Sequence, residues 1–306
     1  MHQNRFFLTA ILVGAVTGVL QGQEAQRKAA PDGPPQPPPG VQALRDLEYV
    51  PRGHELQKLD LYLPEQPAGA LPLVVWIHPG GGQSGSKERT RALYLTTQGY
   101  AVASINHRLT QHATFPAQIH DCKAAIRWLR AHCKEYRLDP DRIGVWGASS
   151  GGTLAALLGT SGGVKELEGK EGENGDQSSR VQAVCDWFGL TDVAAMAALS
   201  PELKSALEQA LGGPIAENKE NVLRASPVTQ ASKDDPPFLI MHGDKDMLVP
   251  VSQSQLLADA LKRAGVDVTL KIVPGARHGG PAFQTPEMLQ LIQEFFDTHL
   301  KKAIQK

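Results

Sequence analysis

The sequence of 306 residues predicts an α/β fold: a mostly parallel central sheet with helices on both faces and a small helical cap insertion. Three observations carry this. Short apolar runs bounded by glycine and proline alternate with stretches of helical length, the rhythm of βα units. One run, Leu73–Ile77, is apolar without a break, as in a strand buried on both faces. Thr191–Asp235 interrupts the alternation with helical segments punctuated by proline and asparagine, so residues 192–235 read as an insertion between two strands and a candidate cap over a site.

Taken in order, Met1–Leu20 has the make-up of a secretory leader. Arg5 supplies a positive charge, and Phe6–Leu20 is apolar apart from Thr9 and Thr17. This run is shorter than the ~20 residues of a membrane span. Loss of residues 1–25 as a signal peptide makes the expected product secreted or periplasmic. Residues 26–41, with six prolines in Pro31–Gly40, form a spacer, because proline lacks an amide donor and fixes φ. The folded domain follows over 42–306.

Within it, Leu59–Leu63 alternates like a strand, with Leu59, Leu61 and Leu63 on one face. Leu73–Ile77 and Tyr100–Ile105 are strands, and Lys87–Gln98 between them reads as a helix ending at Gly99. Ala117–Tyr136 reads as one long amphipathic helix. The strand Ile143–Trp146 leads into a small-residue helix, Gly152–Leu158. Ser161–Ser179 is rich in Gly, Glu and Lys and reads as a solvated loop. Val181–Phe188, Phe238–Met241 and Val268–Val273 are strands; Ser252–Ala264 and Pro286–Leu300 are helices.

Composition narrows the function classes. With 31 Lys+Arg against 32 Asp+Glu the net charge is −1, which argues against a nucleic-acid binder or a stable membrane-surface partner. Cys122, Cys133 and Cys185 are too few for a disulfide scaffold. Cys122 and Cys133 share a predicted helix at about 16 Å along its axis, beyond disulfide reach. All three read as packing residues.

Gly147-Ala148-Ser149-Ser150-Gly151 matches G-x-S-x-G, a tight strand-to-helix turn that lifts a serine hydroxyl above a sheet. Glycine is common here, and Gly159-Thr160-Ser161-Gly162-Gly163 fits the same pattern. Context separates them: Ser149 follows a strand and precedes a helix, whereas Ser161 follows that helix. A serine needs a base, most often a histidine oriented by an acid. His278, in a glycine-flanked loop after the last strand, is the candidate; His242 reads as a structural hydrogen-bonding residue and His299 as solvated. Asp246 is the candidate acid, with Asp192 as the alternative and Asp244 held near its strand end. His78-Pro79-Gly80-Gly81-Gly82 leaves the buried strand Leu73–Ile77. The amides of Gly80, Gly81 and Ser150 are candidate oxyanion donors, since Pro79 has no N–H. His78 reads as a brace for this loop. Gly82, Phe188 and Trp187 are candidate pocket residues, with core packing equally open for Trp187.

Together these residues resemble the α/β-hydrolase superfamily. More narrowly, the chain resembles secreted esterases related to the bifunctional feruloyl and acetyl-xylan esterases, near the hormone-sensitive-lipase-like group. The resemblance runs from about Leu56 to the C-terminus. Its carriers include Ile77–Gly82, Gly85-Ser86-Lys87, Phe115-Pro116-Ala117-Gln118, Leu138-Asp139-Pro140, His242–Pro250 and Gly275–Gly279. Such relatives usually read His-Gly-Gly-Gly-Trp where this chain has His78-Pro79-Gly80-Gly81-Gly82, so an aromatic side chain is replaced by Gly82. They often read Asn-Tyr-Arg at Asn106-His107-Arg108, Ala at Ser150 and His at Thr153. The resemblance implies a serine carboxylic-ester hydrolase without metal or organic cofactor. Its substrate would be a small-molecule or polysaccharide-linked ester with a short-chain or aromatic acyl group, such as acetyl or feruloyl on carbohydrate. The alternatives are a serine exopeptidase of the oligopeptidase type, a broad carboxylesterase or polyester hydrolase, and a non-catalytic descendant of the fold.

Overall fold

The computed structural model describes residues 34–199 and 201–301; the leader over 1–25 and the first part of the 26–41 spacer lie outside the described residues. Eight strands form one sheet in the order β1-β2-β4-β3-β5-β6-β7-β8. They are β1 Val41–Glu48, β2 Lys58–Pro64, β3 Leu71–Ile77, β4 Ala101–Ile105, β5 Leu138–Ala148, β6 Ala183–Trp187, β7 Phe238–Gly243 and β8 Val268–Val273. β2 is antiparallel to both β1 and β4, and the remaining neighbours are parallel. The main helices are α1 Ala117–Ala131, α2 Ser150–Thr160, α3 Pro201–Leu211, α4 Ser252–Ala264 and α5 Pro286–Phe296. The eight strands and covering helices are those of an α/β-hydrolase.

The period-two pleat sorts each apolar strand between two cores. On β3, Leu73, Val75 and Ile77 face one core with α1, α2 and α4, while Val74 and Trp76 face the other with α5. Leu59, Leu61 and Leu63 on β2 join the first core, and Tyr62 the second. On β2's second face Asp60, fully buried, takes Arg45 at 2.8 Å and Lys87 at 2.6 Å. The insertion between β6 and β7 has a small core of its own from Val193, Leu211, Val222 and Ala225.

Three local expectations are corrected. Lys87–Gln98 is not one α-helix but two short 3-10 turns, Lys87–Arg89 and Leu93–Gln98. Lys87 is pinned by tertiary bonds instead: its amide donates to Asn106 Oδ1 at 2.6 Å, its carbonyl accepts from Ser104 Oγ at 2.6 Å, and its ammonium pairs with Asp60. The long helix after Ala117 breaks at His132, whose ring stacks on Trp128 and whose Nδ1 lies 2.8 Å from the Trp128 carbonyl. Ser161–Ser179 is not wholly solvated. It contains a helical turn, Lys165–Glu168, with Leu167 fully buried, and Glu168 pairs at 2.7 Å with Lys123 of α1, which is itself fully buried. Its acidic residues thus neutralise a cation under the first core. Cys122, Cys133 and Cys185 are free and buried; burial pushes the Cys133 thiol up to about 11 and raises the other two well above the ordinary thiol range.

One buried group works against the fold. Asp186, on β6, is fully buried; its Oδ1 accepts from the Gly189 amide at 3.0 Å, and its Oδ2 has no hydrogen-bond partner among the described residues. Burial pushes its carboxyl up to about 6, against the opposing pull of His242 and the Gly189 amide. Because the folded value exceeds the ordinary one, ionisation opposes folding. The cost is absent below the ordinary carboxylate range and complete once the pH exceeds the folded value. Asp186→Asn should therefore stabilise the protein by about 1–3 kcal/mol near pH ~8, with the gain shrinking toward pH ~4. Urea unfolding at both pH values measures this, and an equal effect at the two would contradict it.

Candidate active site

The site follows from strand order. β3 is continued by β4 on one side and β5 by β6 on the other, so the loops leaving the C-terminal ends of β3 and β5 diverge and open a crevice. Ile77, the last residue of β3, lies opposite Gly147 near the end of β5. The glycine loop and the Ser149 turn therefore emerge side by side.

Ser149 sits at φ 53, ψ −122, a backbone conformation that residues other than glycine rarely adopt and that costs on the order of 1–3 kcal/mol. Its amide donates to the Trp187 carbonyl at 2.8 Å, and its carbonyl accepts from Thr153 at 2.9 Å. The flanking glycines are dictated by backbone crossing. A Cβ at Gly147 would lie 2.0 Å from the Gly151 carbonyl oxygen, and one at Gly151 would lie 2.2 Å from that of Ile77. The competing serine has no such geometry: Ser161 is fully buried and donates its hydroxyl to the Leu157 carbonyl at 2.5 Å.

Ser149, His278 and Asp246 stand in one hydrogen-bonded row. His278 Nε2 is 2.9 Å from Ser149 Oγ, and its Nδ1 is 2.7 Å from Asp246 Oδ2. The other carboxylate oxygen, Oδ1, accepts from the Leu248 and Val249 amides, each at 2.9 Å. Burial pushes the Asp246 carboxyl up, but contacts with His242 and His278 and the Val249 amide outweigh it and hold it below the usual carboxylate range. Asp246 thus stays ionised beside His278. The row can pass the seryl proton to the imidazole while the carboxylate fixes the ring's tautomer. The neighbouring acids are used otherwise: Asp244 Oδ1 accepts from the Gly275 amide at 2.7 Å, and Asp192 caps the helix Val193–Ala197 through the Ala195 amide at 3.0 Å.

Gly80, Gly81 and Gly82 follow one another at φ 143, 64 and 73. A Cβ at Gly80 would lie 2.0 Å from the Ser84 carbonyl oxygen, so the loop closes only on glycine there. Among the described residues, the amides of Gly80, Gly81 and Ser150 donate to no backbone carbonyl. His78 is buried beneath this loop, stacked on His107 at 4.7 Å between ring centroids, and its Nδ1 is 3.0 Å from the Pro79 carbonyl. Burial and the neighbouring His107 push the His78 imidazole down to about 3, so both rings stack uncharged near neutrality.

Phe188, itself at φ 43, sets its ring edge-on to His278 at 4.8 Å, and Gly279 passes over it. Phe188 also belongs to the second core, and so does Trp187. It packs edge-on against Trp146 at 4.9 Å and Trp76 at 6.4 Å, and its indole N–H points at Met241 Sδ. The carbonyl of Gly82 accepts from the Thr110 amide at 2.8 Å. The insertion reaches the same loop: Gln209 of α3 bonds Gln83 at 3.3 Å, and Ala210 accepts from the Phe115 amide at 2.8 Å. Among the described residues no group of three His, Cys, Asp or Glu side chains is placed to hold a metal ion.

The contact least visible from sequence is a second histidine on Asp246. His242 Nε2 lies 3.2 Å from Asp246 Oδ2, in full burial. Its position at the end of an apolar strand signals burial, but nothing in the sequence signals its partner.

The crossing at Gly151 yields a prediction. Gly151→Ala drives a methyl into the Ile77 carbonyl and displaces the start of α2 from β3. It should cost about 3 kcal/mol or more in stability, or abolish reaction of Ser149 with a fluorophosphonate probe. Denaturation and labelling measure the two effects. A variant of parental stability that labels at the parental rate would contradict the crossing.

Known proteins resemble this chain in sequence and in fold. The chain is 35% identical over 202 residues to a probable carboxylic ester hydrolase, LipM, of Mycobacterium tuberculosis, covering 64% of this chain and 46% of that protein. It thus spans about half the length of that relative. A truncated carbohydrate esterase from gut microbiota superposes with TM-score 0.81 and 32% identity, over 88% of this chain and all of the other. An acetyl ester-xyloside bifunctional hydrolase from Caldicellulosiruptor lactoaceticus superposes with TM-score 0.67 and 30% identity, over 79% of this chain and 87% of the other. The BD-FAE family model matches residues 59–261, most of the folded domain, and with the strand order above this places the chain in the BD-FAE family of the α/β-hydrolase superfamily.

Proposed function

We propose that this protein is a secreted serine carboxylic-ester hydrolase that removes short or aromatic acyl groups, such as acetyl or feruloyl, from carbohydrate alcohols. The observation that carries the reading is the continuous row from Ser149 Oγ through His278 to Asp246, with 2.9 and 2.7 Å links. Ser149 Oγ forms a bond to the ester carbonyl carbon as His278 Nε2 takes its proton. The carbonyl oxygen becomes an oxyanion facing the amides of Gly80, Gly81 and Ser150. The tetrahedral species collapses by breaking the bond to the alkoxy oxygen, which takes the proton from His278 and leaves as the alcohol. Water, deprotonated by His278, then attacks the acyl-serine, and the acid departs as Ser149 recovers its proton. Asp246 remains a carboxylate throughout and stabilises the transient imidazolium.

The carbohydrate assignment draws on the likeness to proteins named as a carbohydrate esterase and an acetyl ester-xyloside bifunctional hydrolase. Secretion rests on the leader-like Met1–Leu20. An acyl series from acetyl to dodecanoyl 4-nitrophenyl esters, with methyl ferulate and acetylated xylo-oligosaccharides, tests the reading. Turnover should fall along the aliphatic series, the acetylated oligosaccharides should be substrates, and Ser149→Ala should lose at least ~10³-fold in kcat. Undiminished turnover in Ser149→Ala, or a preference for dodecanoate, would contradict it.

A further inference from the structure

The turn after β7 brings a second imidazole to Asp246. His242 is fully buried and makes three polar contacts: Nδ1 lies 2.6 Å from Ser254 Oγ on α4, and Nε2 lies 2.8 Å from the Val249 carbonyl and 3.2 Å from Asp246 Oδ2. A carbonyl oxygen can only accept, so Nε2 carries the hydrogen. In the neutral ring Nδ1 is then an acceptor, and the Ser254 hydroxyl donates to it. The Nε2–H is directed at the Val249 carbonyl, and Asp246 Oδ2 stands 3.2 Å from the same nitrogen as a charge contact.

Asp246 is saturated as a result. Its Oδ1 receives the Leu248 and Val249 amides, and its Oδ2 faces His278 Nδ1 at 2.7 Å and His242 Nε2 at 3.2 Å. The Asp246 side chain has no exposed surface, so water does not take these places. We propose that His242 is a positioning residue for the reaction: the positive end of its Nε2–H dipole, anchored on the Val249 carbonyl, stands against Asp246 Oδ2 and limits how strongly that carboxylate holds protonated His278. A positive dipole against an acceptor oxygen draws on the same electron density as a hydrogen bond to it, so the His242 N–H weakens the bond toward His278. The other groups facing His242 are Asp186 of β6, which acts on it through charge, Ser254 of α4 and the edge of the Phe188 ring at 6.4 Å.

The direction of the effect follows. Without the His242 N–H, Asp246 holds the His278 imidazolium more tightly, and the free base appears only at higher pH. The carboxylate also loses one of its anchors. A merely structural histidine would lower stability without moving the pH limb. The inference rests on the ester-hydrolase reading for the reaction, but its readout need not use an ester.

The test is the pH dependence of Ser149 labelling by a fluorophosphonate, with kcat and KM for 4-nitrophenyl acetate beside it. The full chain is compared with His242→Gln, His242→Phe and Ser254→Ala. Glutamine can return an N–H near the Nε2 position. Loss of the Ser254 hydroxyl makes the His242 N–H a weaker donor while keeping the ring, which keeps the test decisive if His242→Phe does not fold. In His242→Phe the acidic midpoint should rise by about half a pH unit or more, and kcat should fall about three- to tenfold with KM within about twofold. Ser254→Ala should move the midpoint the same way by less, and His242→Gln should hold the parental midpoint. A midpoint unmoved in both Ser254→Ala and folded His242→Phe, or moved equally by glutamine and phenylalanine, would overturn the proposal. If the parent labels with an acidic limb yet hydrolyses no ester, the ester reading fails alone and the limb still decides the role of His242.

Discussion

The site depends on one close crossing of backbone. The first turn of α2 passes over the end of β3 so tightly that Gly151 leaves no room for a Cβ against the Ile77 carbonyl, and Gly147 leaves none against Gly151. That crossing forces Ser149 into its rare conformation and brings the Ser150 amide beside the glycine loop that leaves β3. Close packing of strand, turn and helix at this point sets two stretches of chain, Gly80–Gly82 and Gly147–Gly151, side by side, as the proposed oxyanion site requires. The strain at Ser149 is offset by the apolar cores on both faces of the sheet, which hold β3, β5 and α2 in place.

The electrostatics are built around one carboxylate. Asp246 is removed from water but surrounded by N–H groups, so it stays ionised where an isolated buried acid would take up a proton. Its contribution to stability is complete above the ordinary carboxylate range and is lost as the pH falls toward its lowered folded value. Asp186, one strand away, is the opposite case, with one oxygen satisfied and one bare, and burial raises it. The two acids differ in their supply of donors more than in their depth. His78 and His107, stacked in full burial, are driven toward the neutral form, for His107 against the opposing charge of Asp121, and brace the glycine loop without adding charge where an oxyanion would form.

Much of this was legible in the amino-acid sequence, for physical reasons. Ser149 could be chosen over Ser161 because a strand before and a helix after are what the turn needs, and backbone crossing explains its glycines. Asp246 and His278 were legible from strand order, since both lie just beyond C-terminal strand ends. The failures came where distant side chains override local preference. Lys87–Gln98 has helical composition, yet Asn106, Ser104 and Asp60 claim the backbone and ammonium of Lys87. Glu168 looked like part of a solvated loop until Lys123, buried on α1, needed a counter-charge. His242 could be read as buried, but its reach to Asp246 depends on how the turn Asp244–Val249 folds back, which composition does not encode.

The most direct measurement is a crystal structure of the protein after reaction with an alkyl phosphonate that mimics the tetrahedral intermediate. The account requires a covalent bond from Ser149 Oγ to phosphorus and a phosphonyl oxygen about 2.7–3.1 Å from the amides of Gly80, Gly81 and Ser150. A phosphonate attached to another residue, or one on Ser149 whose oxygen points away from those amides, would contradict it.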